Sequence, residues 1–338
     1  MAGYQPFGRM QWANGLDLMD AMATREISRM LRNVRVYRLE PQGLTDAEGL
    51  AAQLASRRFA PCGSQEASRA GWAEVGNEGA LVMACGEYLY CKLRTETRKV
   101  PGDALRRAVD ERAAQLEQTQ GFRPGRKQRA ELSEMVLMEM LPKAFPKDHD
   151  AEVIFDTMGR WLLVGTSSDA VSDTVLENLR HCIPNLPVRS VATVNPLAGV
   201  MREWLLGEEA SGGFEMGDTL HLKGQGSVRY AGQELPFDEV RKHLEAGMVP
   251  VNLEINMGEE VSFRLMAIDD MRALSFLEKT SEEEQQAISG DQVEDFKASL
   301  VIRAGVVRRV LDALLEVCGG EVAGSCGDPS PAAELKAA

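Results

Sequence analysis

The chain has 338 residues, a net charge of −13, and 44% hydrophobic and 26% charged residues, a composition of folded globular protein that speaks against disorder as its overall state. No apolar run approaches the ~20 residues that cross a bilayer, and Met1–Asp20 lacks the basic start and apolar block of a signal peptide, so a cytoplasmic protein is expected. Six cysteines (Cys62, Cys85, Cys91, Cys182, Cys318, Cys326) form no CxxC pair and share no ligand-like spacing with His149, His181, His221 and His243, which argues against structural zinc and a disulfide framework.

Residues 1–29 carry no sustained period and are read as an extension. "NVRVYRL" (33–39) reads as a strand, and the helix after it has Thr45 and Glu48 at the spacing of a capping box, with Leu50 and Leu54 on one face. "ALVMACGEYLYCKLR" is two β-rich runs turning at Gly86-Glu87. Asp103 is the expected N-cap of a helix with Leu105, Val109, Ala113 and Leu116 in register, "GFRPGRKQ" interrupts it, and a second helix carries Leu132, Met135, Val136 and Met140 as far as Pro142. Two helices about a basic, proline-containing connection suggest a projecting arm over about 95–147.

From 151 the pattern gives "AEVIFD", a turn at Gly159, "RWLLVGT", and a Ser-capped helix with Val171, Val175, Leu179 and Cys182. "VRSVAT" reads as one more strand, "NPLAGVMREWLL" as a helix opened by proline, and the glycine-rich 207–226 as a linker or long hairpin. A helix ending at Gly247, three strands ("VPVNLEI", "VSFRLMAI", "ALSFLE"), an acidic stretch at 278–295 and a long terminal helix follow. Strands joined by hairpins, and helices in separate groups, predict an α+β fold with mixed, mainly antiparallel sheets. The expected division is an extension (1–29), an N-terminal half (30–195) containing the arm, a C-terminal half (196–318), and a disordered tail (319–338).

Enzymatic signals are few. Cys62, in "FAPCGSQEASRAGW" (59–72), reads either as a nucleophile near Arg57 and Arg58 or as part of a structural turn, in which Pro61 fixes φ, Gly63 relaxes it, and Ser64 and Gln65 satisfy backbone groups. "KGQGS" lacks the spacing of a phosphate-binding loop, and Glu282, Glu283 and Glu284 read as a solvated face. No cofactor is called for.

Charge distribution is more informative. Lys92 to Arg129 holds eleven basic and five acidic residues, so the net −13 divides into +6 there and −19 over the rest. Such a split suits a polyanion on one surface, although an acidic scaffold that binds proteins and no DNA is a competing reading. In "LPKAFPK" (141–147), Phe145 sits between two prolines, either tucked under its own loop or placed to meet its copy near a two-fold axis.

"PCGSQ" followed by Gly71-Trp72, "LPKAF", "ACGEYLYCKLR", Asn195-Pro196 before Glu203-Trp204, and "HLEAGMV" occur in an order that resembles the recombination-associated protein RdgC family, from about Met30 to Gly320. The resemblance implies a ring-shaped homodimer of curved protomers that encircles duplex DNA with little sequence preference. It also implies single-strand binding, a nucleoid-associated location and restraint of RecA by competition for DNA. The motif match implies a dimer gate at Phe145, with a second dimer contact in the C-terminal half. The basic residues expected to meet phosphate are Lys92, Arg94, Arg98, Lys99, Arg123, Arg126, Lys127, Arg129 and Lys143, with no catalytic and no metal-binding residue.

Overall fold

The computed structural model describes residues 30–40, 46–76, 79–186, 188–258, 261–266, 273–276 and 291–322. The expected extension, Thr45, Glu282–Glu284, Cys326 and most of the acidic stretch and tail lie outside them. The fold is α+β, with seven α-helices and antiparallel strand pairs among the described residues. The chain divides into two compact units, 38–188 and the combination of 1–37 with 189–338. Residues 30–37 thus group with the later part of the chain and not with the half that follows them. Within that grouping β1 (Asn33–Leu39) aligns Asn33, Val34 and Arg35 with Ser275, Leu274 and Ala273.

In the 38–188 unit, β2 (Ser68–Ala73), β4 (Tyr88–Arg98), β5 (Pro146–Asp156) and β6 (Trp161–Val164) lie side by side, and β3 (Met83–Cys85) also pairs with β4. The expected hairpin between β3 and β4 is present, with Gly86 supplying the positive φ of 59°. Trp72, Tyr88, Phe155 and Trp161 are fully buried over the sheet. Helix α1 (Ala47–Leu54) buries Leu50 and Leu54, and α4 (Asp169–Cys182) buries Val175 and Leu179. The cap of α1 is Asp46, whose carboxylate accepts from the Gly49 amide. Ser168 precedes α4 without a side-chain capping bond.

β4 and β5 pair along eleven residues each, from Tyr88 opposite Asp156 to Arg98 opposite Pro146. The inner half of this ribbon is apolar and buried, whereas Pro146–His149 on β5 is exposed. The ribbon therefore runs past the core it helps to build, and its outer end holds the base of a helical hairpin. α2 (Gly102–Gln120) and α3 (Arg126–Met140) form that hairpin, with a 3-10 turn (Leu141–Lys143) returning the chain to β5. Pro101, not Asp103, stands at the N-cap of α2, and Asp103 lies in its first turn. Val109, Ala113, Val136 and Leu141 are buried. Met135, expected on the buried stripe, is 52% exposed, because Leu132, Val136 and Met140 repeat every four residues and Met135 sits about 100° from Val136 around the helix.

In the other unit the strand order is β1, β12 (Ala273–Phe276), β11 (Val261–Met266), β10 (Val249–Met257), β8 (Phe214–Lys223), β9 (Ser227–Tyr230), all antiparallel. The glycine-rich region thus contains a ten-residue strand. Helix α5 (Leu197–Gly207) sets Trp204 against Phe214, with ring centroids 5.9 Å apart, and Phe214 meets Phe263 edge-on at 6.0 Å. α6 (Phe237–Glu245) buries Val240 and Leu244 and gives way to Gly247 at φ 86°. α7 (Gln292–Val317) buries Leu300, Ala304, Val307, Leu311 and Leu314, and is capped by Asp291. The strand expected at "VRSVAT" shrinks to β7 (Val188–Arg189), and Thr193 makes only an isolated bridge to Glu321. Among the described residues no helix is long and apolar enough to cross a membrane.

Candidate nucleic-acid interface

The nine basic residues singled out in the sequence lie on or beside the ribbon and its helical hairpin, and the fold sorts them into distinct environments. On β4, Arg94 donates from Nε and Nη2 to the two carboxylate oxygens of Asp150, both at 2.7 Å, and Lys92 approaches the same carboxylate at 3.5 Å. The register creates this, since Arg94 stands opposite Asp150 on β5. Burial pushes the Asp150 carboxyl up, but the hydrogen bonds from Arg94 and the charge of Lys92 outweigh it and hold the group below the ordinary carboxylate range. Arg129 on α3 is paired with Asp110 of α2. These three cations already have carboxylate partners within the fold.

Arg98 has a different job. Its backbone amide donates to the Ala67 carbonyl at 2.8 Å, and its Nη1 reaches the Ala144 carbonyl at 3.4 Å. The guanidinium thereby braces the segment immediately before Phe145. That phenylalanine is 91% exposed, which rules out the reading in which it tucks beneath its own loop. Pro142 in the 3-10 turn and Pro146 at the start of β5 limit the backbone on each side. Lys143 and Lys99 are exposed close to it in the chain pairing, one in the turn and one just past Arg98.

The far end of the hairpin carries the remaining cations. Gly121 ends α2 in the left-handed region (φ 79°), and Gln128 accepts from the Gly125 amide at 3.1 Å to hold the entry to α3. Arg123 is 87% exposed, with Glu117 at 3.6 Å. Arg126 and Lys127 open α3 exposed to solvent, and no carboxylate among the described residues lies within ion-pair distance of either. The first turn of α3 contains no acidic residue, so two cations face the positive end of the helix dipole, an arrangement unfavourable by about 0.3–1 kcal/mol each. α2 has nineteen residues and is about 28 Å long at ~1.5 Å per residue. Two exposed cationic groups, Lys99 with Lys143 and Arg123 with Arg126 and Lys127, therefore mark opposite ends of the arm. The sequence reading did not single out Phe122, 61% exposed in the connection beside the distal group, or Met138, 63% exposed on α3; a lone apolar residue in a polar loop carries no period, and on a helix a solvent-facing apolar side chain looks like a core one.

The turn at Cys62 is tied down by hydrogen bonds to two carboxylates. The Cys62 amide donates to Glu96 Oε1 at 3.0 Å and its Sγ to the Glu96 carbonyl at 3.3 Å. Glu66 accepts from the Gly63 amide at 2.8 Å, so Glu96 and Glu66 fill the role expected of Ser64 and Gln65. Burial, followed by the hydrogen bond and charge of Glu96, raises the thiol pKa, opposite to the activation a nucleophile needs. A Cβ on Gly71 would come within 2.6 Å of the Phe59 backbone, so only glycine lets the Phe59 amide bond the Trp72 carbonyl at 2.8 Å. The "PCGSQ…GW" pattern is thus a device for closing the chain onto β2 and β4.

A family model described as "Putative exonuclease, RdgC" matches residues 30–321. The chain belongs to the RdgC family. Curated relatives named recombination-associated protein RdgC agree with this. The protein from Dechloromonas aromatica is 34% identical over 300 residues, covering 86% of this chain and 98% of its own length. That from Burkholderia cenocepacia is 31% identical over 305 residues (89% and 99%), and that from Paraburkholderia phymatum 30% identical over 295 residues (86% and 97%). Two descriptions of RdgC proteins therefore stand side by side, one naming recombination and the other an exonuclease. Among the described residues no group of three or more His, Cys, Asp or Glu is placed to hold a metal ion.

Proposed function

We propose that this RdgC protein binds DNA without sequence preference, closing as a homodimeric ring around the duplex, and modulates recombination by limiting the access of RecA. The observation that carries the proposal is the solvent-exposed cation pair Arg126–Lys127, kept at a helix N-terminus where the fold itself gains nothing from it. A polyanion supplies the missing counter-charge. The relatives' name associates them with recombination, and duplex DNA is the polyanion central to that process. Contacts from lysine and arginine to phosphate carry no base code.

Phe145 supports the dimeric part of the reading. A 91% exposed phenylalanine on a proline-bounded segment braced by Arg98 is a rigid apolar anchor, and meeting its own copy across a two-fold axis would bury it. Ring closure, with a second contact in the later unit, allows an outer surface rich in carboxylates while the arm faces phosphate. The protein binds single strands as well, acts in the nucleoid, and uses neither cofactor nor catalytic residue. The raised thiol pKa of Cys62 weighs against the cysteine-enzyme alternative.

The test is retention of linear and closed circular duplex by the purified protein across salt, beside a solution mass measurement. If six to ten phosphates are engaged, affinity falls by about 10³ to 10⁵ between ~50 and ~200 mM salt. Absence of binding at low salt refutes the proposal and leaves the acidic protein scaffold as the better reading.

A further inference from the structure

The tip of the arm holds an aromatic ring that no packing role explains. Phe122 is 61% exposed, although the hairpin has its own buried seam at Val109, Ala113 and Val136. Leaving such a ring in water forgoes the gain that burial of an aromatic side chain brings. The backbone beneath it is nevertheless held. Gln120 Nε2 donates to the Phe122 carbonyl at 2.9 Å, the Gly121 amide to the Glu117 carbonyl at 2.9 Å, and Gln128 pins the Gly125 amide. Pro124 restricts the remaining backbone freedom. A ring on a loop fixed at both ends loses little entropy when it engages a flat partner.

Its chemical surroundings select that partner. Arg123, Arg126 and Lys127 are exposed within five residues of the ring, and no carboxylate among the described residues pairs with the last two. A partner must then offer a planar apolar face and a nearby anion in repeating register. Nucleobases on a phosphodiester strand do so, but in a duplex their faces are covered by neighbouring bases and only edges and phosphates are presented. Unstacked bases expose the faces.

We propose that Phe122 is a stacking contact for unpaired bases, with Arg123, Arg126 and Lys127 holding the flanking phosphates, so that the arm tip distinguishes single-stranded from duplex DNA. The inference rests on the DNA-binding reading above and adds to it a residue that sets strand preference. The duplex is held by phosphate contacts alone and gains nothing from the ring.

The experiment compares the full-length protein with Phe122→Ala and Phe122→Trp on oligo(dT) of thirty nucleotides and on a thirty-base-pair duplex at one salt concentration. Quenching of 2-aminopurine placed in a single strand is followed in parallel, with vesicles containing phosphatidylserine as a third ligand. Phe122→Ala should weaken oligo(dT) binding roughly 5- to 150-fold, the range that stacking of one base on an aromatic side chain is worth, and relieve the quenching. Duplex affinity and both salt slopes should stay unchanged, and Phe122→Trp should retain single-strand binding. Equal losses on both DNAs, or no loss on either while the unaltered protein binds both, overturn the stacking role and leave the DNA-binding reading standing. Vesicle binding that Phe122→Ala removes while DNA binding persists also overturns it, since the ring would then serve a lipid surface. Failure of the unaltered protein to bind any DNA overturns the parent reading instead.

Discussion

Replacing Arg126 and Lys127 together by alanine separates function from stability in opposite directions. Each cation that neutralises a phosphate contributes about −0.9 to the slope of log affinity against log salt on duplex DNA, so losing both should flatten the slope by about 1.8 per protomer. Over a fourfold change in salt this is about a 12-fold smaller loss of affinity. Arg129 is left in place because it is paired with Asp110; removing it would liberate a carboxylate as well as delete a cation. The same double substitution relieves repulsion with the N-terminal dipole of α3, stabilising the 38–188 unit by about 1 kcal/mol and raising its Tm by roughly 2–4 °C. Filter binding over a salt series and thermal melting by circular dichroism read the two effects. An unchanged slope refutes the phosphate role of these side chains, and a lower Tm refutes the claim that they stand where the fold does not want them.

Phe145→Ala should weaken one dimer contact by about 2 kcal/mol, or ~30-fold, without lowering the Tm of the protomer, since a ring 91% exposed there has little packing to lose; complete conversion to monomer by sedimentation would show that the second contact was misassigned. Asp150→Asn should flatten the acid limb of the stability curve. A carboxyl held below its ordinary value stabilises fully above the unfolded pKa near 3.9 and loses that contribution as pH falls through the lower folded pKa, so urea melts at pH 3–6 should show a smaller pH dependence in the variant; an identical acid limb would mean that the Arg94–Asp150 pair contributes nothing. Cys62 should react slowly with thiol probes at neutral pH in the folded protein, and Cys62→Ser should retain DNA binding; rapid labelling, or loss of a hydrolytic activity in the variant, would restore the enzyme reading.

Local signals carried much of the architecture. The alternation around Gly86, the helical spacing of Leu50 with Leu54, and the break at "GFRPGRKQ" each reflect short-range sterics or burial period, and the corresponding elements are present. The outer half of β5 left no such trace, because "PKDHD" is polar on both faces and is ordered by its ladder with β4 rather than by burial. In the glycine-rich region the long-hairpin alternative is the one observed: β8 turns back into β9 and also pairs with β10, and it buries Phe214, Leu220 and Leu222 although glycines crowd its flanks. Charge showed the limit most clearly. A count of cations between 92 and 129 cannot separate Arg94 from Arg126, because the carboxylate that neutralises Arg94 lies fifty-six residues away and arrives only through strand register.

That sorting bears on how the arm would meet the DNA proposed as its partner. Lys99 and Lys143 at its base and Arg123, Arg126 and Lys127 at its tip are separated by nearly the length of α2, about 28 Å, more than three times the screening length of about 8 Å at physiological ionic strength. The two groups therefore do not repel one another appreciably, and neither depends on the other to hold its position: one is set by the ribbon end and the other by the Gly121–Gln128 turn. Along a duplex, 28 Å corresponds to about eight base pairs at ~3.4 Å each, so both ends can contact the same DNA through different phosphates. Independent, widely spaced contacts make their contributions to the salt slope additive. Neutralising the base pair of lysines should reduce the slope by about as much as neutralising Arg126 and Lys127, and combining both should give the sum; a combined variant no flatter than either alone would mean that only one end of the arm reaches DNA at a time.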